Sequence, residues 1–159
     1  MPAPSRINLN DYIDRYYQAY FALDAAYDDW AGANNIQSTS LFILNEISKQ
    51  ELCTQRNLKE RLGYSKQMLS YSLSQLEKDG YILREKAPND RRVNIICFTP
   101  KGKRFTERFV KKLQDAERAA FESWSVDECE QIISSYEKMC RALIDRLFED
   151  IEGLASFTK

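Results

Sequence analysis

The chain contains no histidine. That removes imidazole as a general base, as the activator of a nucleophile and as a metal ligand. The four cysteines, Cys53, Cys97, Cys129 and Cys140, include no C-x-x-C pair, so neither a zinc site nor a disulfide framework is expected. Each sits in or beside an apolar run, where a reduced thiol behaves as a small hydrophobe. No nucleophile–base pair, phosphate loop or metal constellation is present, so the expectation is a protein that is not an enzyme and carries no cofactor. No apolar run is long enough to span a bilayer and no signal-peptide pattern is visible, so a cytoplasmic protein with no membrane partner is expected.

What is present is charge, unevenly spread. Among the 159 residues the net charge is only −1, yet residues 54–104 hold 12 Lys and Arg against 5 Asp and Glu, a local +7 that leaves −8 for the rest. A basic centre between acidic ends points to a polyanion-binding module set in a scaffold that does not bind the polyanion.

The scarce glycines and prolines act as punctuation. After a loose arm, MPAPSRIN, apolar residues recur at Leu9, Ile13, Tyr16, Tyr20, Leu23, Tyr27 and Trp30, the alternating steps of four and three of a helix seam. Gly32, Asn34 and Asn35 end that helix, and Ser40 or a neighbour opens a buried one, LFILNEIS. The next stretch, TQRNLKERLGYSKQMLSYSLSQLEKDG, divides at Gly63 into two short helices. Thr54 and Ser65 stand where caps belong. The first helix turns Leu58 and Leu62 inward, and the second buries Leu69, Leu73 and Leu76. That leaves Lys66, Gln67, Ser70, Tyr71, Ser74 and Gln75 outside, as a helix-turn-helix needs to lay one helix in the major groove. YILREK and RRVNIICF then flank A-P-N-D, a β-hairpin with arginines near its tip. Thr99 and Pro100 start a helix expected to run to about Ser123 with Phe105, Phe109, Leu113, Ala116 and Ala120 inward. Ser125 and Glu128 read as a capping box, with Trp124 and Cys129 as a staple. They open a last helix that buries Cys129, Ile133, Tyr136, Cys140, Leu143 and Leu147.

A helix-turn-helix followed by a hairpin is a winged helix. The wing pattern D-x-R-x-x-x-(apolar)-x-(apolar)-T-x-x-G is met by Asp90, Arg92, Ile96, Phe98, Thr99 and Gly102, and L-G-x-S-K-Q by Leu62, Gly63, Ser65, Lys66 and Gln67. On these motifs, within residues 54–102, the chain resembles the MarR family of bacterial transcriptional regulators. The resemblance implies a mainly α fold with a small β-hairpin wing, a winged helix-turn-helix lobe plus a helical dimerisation domain. It implies a homodimer on a pseudo-palindromic operator in double-stranded DNA, acting as a repressor released by a small molecule or an oxidant. The expected organisation is residues 1–35 as arm and first dimerisation helix, 36–100 as the DNA-binding lobe, and 101–159 as the C-terminal linker and dimerisation helices. Within the lobe the recognition helix spans about 65–79 and the wing about 81–99.

The candidate DNA contacts are Thr54, Gln55, Arg84 and Lys86 on phosphates, Ser65, Lys66, Gln67, Ser70, Tyr71 and Ser74 on the recognition helix, and Arg91 and Arg92 in the minor groove. Asp90 is expected to hold an arginine rather than DNA. Where the family commonly has an arginine after the position of Ser70, this chain has Tyr71. The operator is therefore expected to lean toward A·T pairs and thymine methyls. Tyr12, Tyr16, Tyr20 and Trp30, with Tyr17 and Tyr27, are candidates for the wall of a pocket for a small lipophilic or phenolic effector, against the plainer reading of a dimer core. Leu9, Ile13, Tyr136, Leu143 and Leu147 are candidates for the dimer interface. Two other readings stand beside this one. One is a redox-responsive regulator triggered at a cysteine, Cys53 being the first candidate, although the family's peroxide sensors place theirs in the first helix, which has none here. The other is a winged helix used only for protein contacts.

Overall fold

The computed structural model describes residues 8–155, with side chains described through residue 149. Helix α1 (Leu9–Ala33) and helix α2 (Ser38–Ser48) lead into α3 (Gln55–Leu62) and α4 (Lys66–Lys78). A two-stranded antiparallel sheet, β1 (Ile82–Ala87) and β2 (Asp90–Phe98), follows. Then come α5 (Pro100–Phe105), a π turn (Thr106–Val110), α6 (Lys111–Glu122) and α7 (Val126–Ala155). The chain is mainly α with a hairpin wing. It divides into two compact units between Lys112 and Leu113.

In the first unit the core is built by α2 and α4 around α3 and the root of the wing. Leu41, Ile43, Leu44, Leu58, Leu69, Leu73, Leu76 and Ile82 are fully buried, each a gain of about 1.5–3 kcal/mol over an exposed side chain. Leu62 is only half-buried. Helix α2 begins at Ser38, two residues before the expected start, and Ser40 lies buried within its first turn instead of capping it. The carboxylate of Glu46, also buried, is met by Arg61 of α3, by Lys49 at 3.7 Å and by the Gln50 amide, tying α2 to α3.

The caps fall where the sequence puts them. Thr54 and Asn57 make a reciprocal capping box, Gly63 ends α3 at φ 66°, and Ser65 accepts from the Met68 N–H. Thr99 accepts from the Gly102 N–H, while its own hydroxyl donates to the Gly80 carbonyl at 2.6 Å. This locks the start of α5 against the chain that leaves α4.

One seam differs from expectation. Among its five expected residues, Phe105 and Leu113 are buried and Ala116 and Ala120 exposed. The second position belongs to Val110, fully buried, while Phe109 is only half-buried. A π turn holds one residue more than an α turn of the same rise, and it moves the inward position from 109 to 110.

In the second unit Ser125 and Glu128 form the expected box, the carboxylate accepting from both the Ser125 N–H and its hydroxyl. These bonds hold the Glu128 carboxyl below its ordinary value. The apolar stripe of α7 is not covered in the single chain: Ile133, Tyr136, Leu143 and Leu147 are exposed, and Cys129 and Cys140 half-buried.

Candidate nucleic-acid interface

Helix α4 presents two unlike faces. Its Leu69, Ser72, Leu73 and Leu76 are buried, because the i, i+3, i+4, i+7 spacing lines one side of a helix. The opposite side leaves Ser65, Lys66, Gln67, Tyr71 and Ser74 exposed and Ser70 and Gln75 half-buried. Tyr71 is 59% exposed, a large ring left in water. Met68, also exposed, joins Ser65, Gln67 and Tyr71 around a shallow hollow of about 410 Å³ on this face. Met68 was not among the candidates, and its signal was a thioether one turn before an outward tyrosine. Such a surface offers apolar contact of the kind a thymine methyl takes.

The wing carries its arginines in an irregularity. Lys86 pairs with Asn94 and Ala87 with Asp90, so Arg91, Arg92 and Val93 have no opposite residues on β1. A bulge of this kind bends a strand and re-aims its side chains. Pro88 and Asn89 form the turn, and Asp90 Oδ1 accepts from the Arg92 backbone N–H at 2.9 Å. Asp90 thus holds Arg92 through its main chain. Among the described residues no carboxylate lies in ion-pair range of Arg91, Arg92, Lys66 or Lys86, and all four are exposed. Arg84, by contrast, pairs with Glu77 of α4 at 3.7 Å.

Two expected phosphate contacts have other bonds. Thr54 is committed to its capping box. Gln55, half-buried, turns its amide onto Ser70, with Nε2 donating to Oγ at 2.9 Å. At the wing root the Ile96 N–H donates to the Cys53 carbonyl at 2.8 Å, fastening the hairpin to the segment before α3.

A polar cavity of about 620 Å³ opens behind α4. It is lined by Asn35, Gln37 and Ser40, by Tyr71, Gln75 and Asp79, and by Tyr81 and Lys101. Asn35 holds a left-handed turn at φ 55°. Lys101 lies 4.3 Å from the Tyr81 ring centroid and donates to the Asp79 carbonyl at 2.6 Å. None of Tyr12, Tyr16, Tyr20 and Trp30 lines it. Tyr12 and Tyr20 are exposed on α1, and Tyr16 and Trp30 half-buried.

Residues 36–93 match the family model described as "MarR family". Over that segment the chain is similar to the MarR family. A relative from Bacillus subtilis (strain 168), an uncharacterized HTH-type transcriptional regulator called YwhA, is 22% identical over 129 residues, 81% of this chain and 93% of its own. Among solved structures, the MarR family regulator NMB1585 from Neisseria meningitidis superposes with a TM-score of 0.73 at 17% identity, covering 87% of this chain and 97% of that one. MepR of S. aureus, solved in complex with DNA, gives 0.68 at 22%, covering 83% and 97%. At these identities the structural likenesses speak for the fold.

The cysteine reading finds no support at Cys53. The residue is 2% exposed, and burial first, then the nearby Glu46 and Cys97, pushes its thiol up to about 11. At pH 7 about one such thiol in ten thousand is ionised, whereas a reactive thiol is exposed and acidic. Burial and Glu85 also raise Cys97, against the opposing pull of Lys103. Alkylation at pH 7, read peptide by peptide by mass spectrometry, should modify Cys53 at least about 100-fold more slowly in the folded protein than in urea, from the pKa difference alone. Equal rates would restore Cys53 as a trigger.

Among the described residues no group of three or more Cys, Asp or Glu is placed to hold a metal ion, and no helix is long and apolar enough to cross a membrane.

Proposed function

We propose that this protein is a homodimeric, sequence-specific DNA-binding transcriptional regulator that represses genes beside a pseudo-palindromic operator and is released by a small-molecule effector. One lobe carries both parts of a winged-helix reader, an outward polar face on a firmly capped α4 and an unpaired arginine bulge on the wing, and that observation carries the reading. Helix α4 enters the major groove, where Gln67, Ser70, Tyr71 and Ser74 meet base edges and Met68 and Tyr71 meet thymine methyls. Arg91 and Arg92 reach the minor groove, and Lys66, Arg84 and Lys86 bind phosphates.

Dimerisation is supported by two exposed apolar stripes, Leu9 and Ile13 on α1 and Tyr136, Leu143 and Leu147 on α7, the kind of surface a partner chain covers. Release by a ligand is supported by the cavity behind α4, because Tyr71 belongs to its wall and to the reading face alike. A molecule with an aromatic ring and a polar group suits walls that offer Tyr71 and Tyr81 beside Lys101 and Ser40.

Selection from random DNA with the purified protein tests this reading. The expected product is an inverted repeat with half-site centres about 10 base pairs apart, leaning toward A·T, whose binding weakens with a phenolic compound. A pool with no enriched sequence would reject DNA reading. Guanine at every strongly preferred position would reject the base assignment.

A further inference from the structure

We propose that Gln55, half-buried at the start of α3, sets the base preference of Ser70 by keeping its hydroxyl proton from turning inward; this rests on the DNA-binding reading above. A serine hydroxyl has one proton to donate and two lone pairs to accept with, so a free serine on a recognition helix reads donor and acceptor bases alike. Ser70 is not free. Gln55 Nε2 donates to its Oγ at 2.9 Å, occupying a lone pair. Among the described residues the Ser70 hydroxyl proton has no acceptor, since the neighbouring Ser74 hydroxyl donates to the Ser70 carbonyl and leaves Oγ alone. The bond spans fifteen residues, from the first turn of α3 to the reading face of α4. Both ends are half-buried, and Gln55 follows directly on the Thr54 capping box, so the amide is held in place.

With one lone pair taken, the proton cannot turn toward Gln55, and accepting that bond polarises the hydroxyl into a stronger donor toward the groove. It becomes a donor that selects an acceptor on the major-groove edge, a purine N7, a guanine O6 or a thymine O4, and disfavours the cytosine N4 amino group. Gln55 is a positioning residue that touches no base.

Replacing the amide with a carboxylate reverses the polarity. In Gln55→Glu the new carboxylate can only accept, so the Ser70 proton turns inward and the lone pairs face the groove. The substitution suits its place, since a negative side chain in the first turn of a helix is favourable. Gln55→Met keeps the length of the side chain and removes the bond. Random-site selection on wild type, both variants and Ser70→Ala is the test. Wild type should prefer an acceptor base about five- to ten-fold at one base pair of each half-site, the size expected of one good base contact. Gln55→Met and Ser70→Ala should lose that preference at the same base pair, and Gln55→Glu should invert it toward cytosine or the adenine amino group. Profiles unchanged in both Gln55 variants, or a uniform fall in affinity with the profile intact, would overturn the proposal and return Gln55 to the phosphate contacts. A wild-type profile that is flat everywhere would instead sink the DNA-binding reading and this inference with it.

Discussion

Gly102→Ala should destabilise this protein more than any other single change of glycine. A Cβ at position 102 would overlap the Tyr81 backbone carbonyl and press on the Phe98 ring. A backbone carbonyl cannot swing aside as a side chain can, and the Tyr81 carbonyl already accepts from the Thr99 N–H at 3.0 Å. Relief requires α5 to lift off the root of the wing, breaking the bonds of Thr99 to Gly80 and Tyr81. Overpacking of this kind costs about 1–3 kcal/mol and more where backbone must move, so a fall in melting temperature on the order of 10 °C is expected. Gly32→Ala is the matched control. Nothing lies within 4 Å of its Cβ and its φ is not positive, so alanine there should be neutral or stabilising by up to about 1 kcal/mol. Thermal unfolding followed by circular dichroism compares the two, and equal midpoints would show that α5 is not wedged against Tyr81.

Arg91→Ala combined with Arg92→Ala should have the largest effect on DNA affinity. Both side chains are exposed, without an ion-pair partner among the described residues, on a bulge anchored by Asp90. Their removal therefore uncovers no buried carboxylate and should leave the melting temperature within about 1 °C, as surface changes usually do. Loss of two positive charges from the wing should lower affinity on the order of 10–100-fold near physiological salt. The slope of log affinity against log salt should flatten by about 2. Fluorescence anisotropy over a salt series measures both. Unchanged affinity and slope would take the wing off the DNA.

Much of this architecture was legible because short-range chemistry fixes it. Thr54, Gly63, Ser65, Thr99 and Ser125 each satisfy helix ends within three residues of themselves, and the leucines of α4 declare their face by spacing. What escaped depends on contacts between distant segments. The inward turn of Gln55 needs Ser70 at its side, and the burial of Cys53 needs Ile96 pairing across the wing root. The bulge at Arg91–Val93 is a mismatch between strand lengths, which no run of alternation reveals. The cavity behind α4 gathers Asn35, Tyr71, Tyr81 and Lys101 from separate segments, and no periodic pattern marks them.

The extra residue at Thr106–Val110 also bears on how such proteins can be recombined. An α-helix turns by about 100° per residue, so trimming the π turn to an α turn would rotate everything from Lys111 onward by that angle about the helix axis. A chimera that joins this lobe to the distal helices of a relative must therefore cross over before Thr106 or after Val110. A junction inside that span changes the residue count of the turn and carries the side chains of α6, Leu113 among them, round the helix axis.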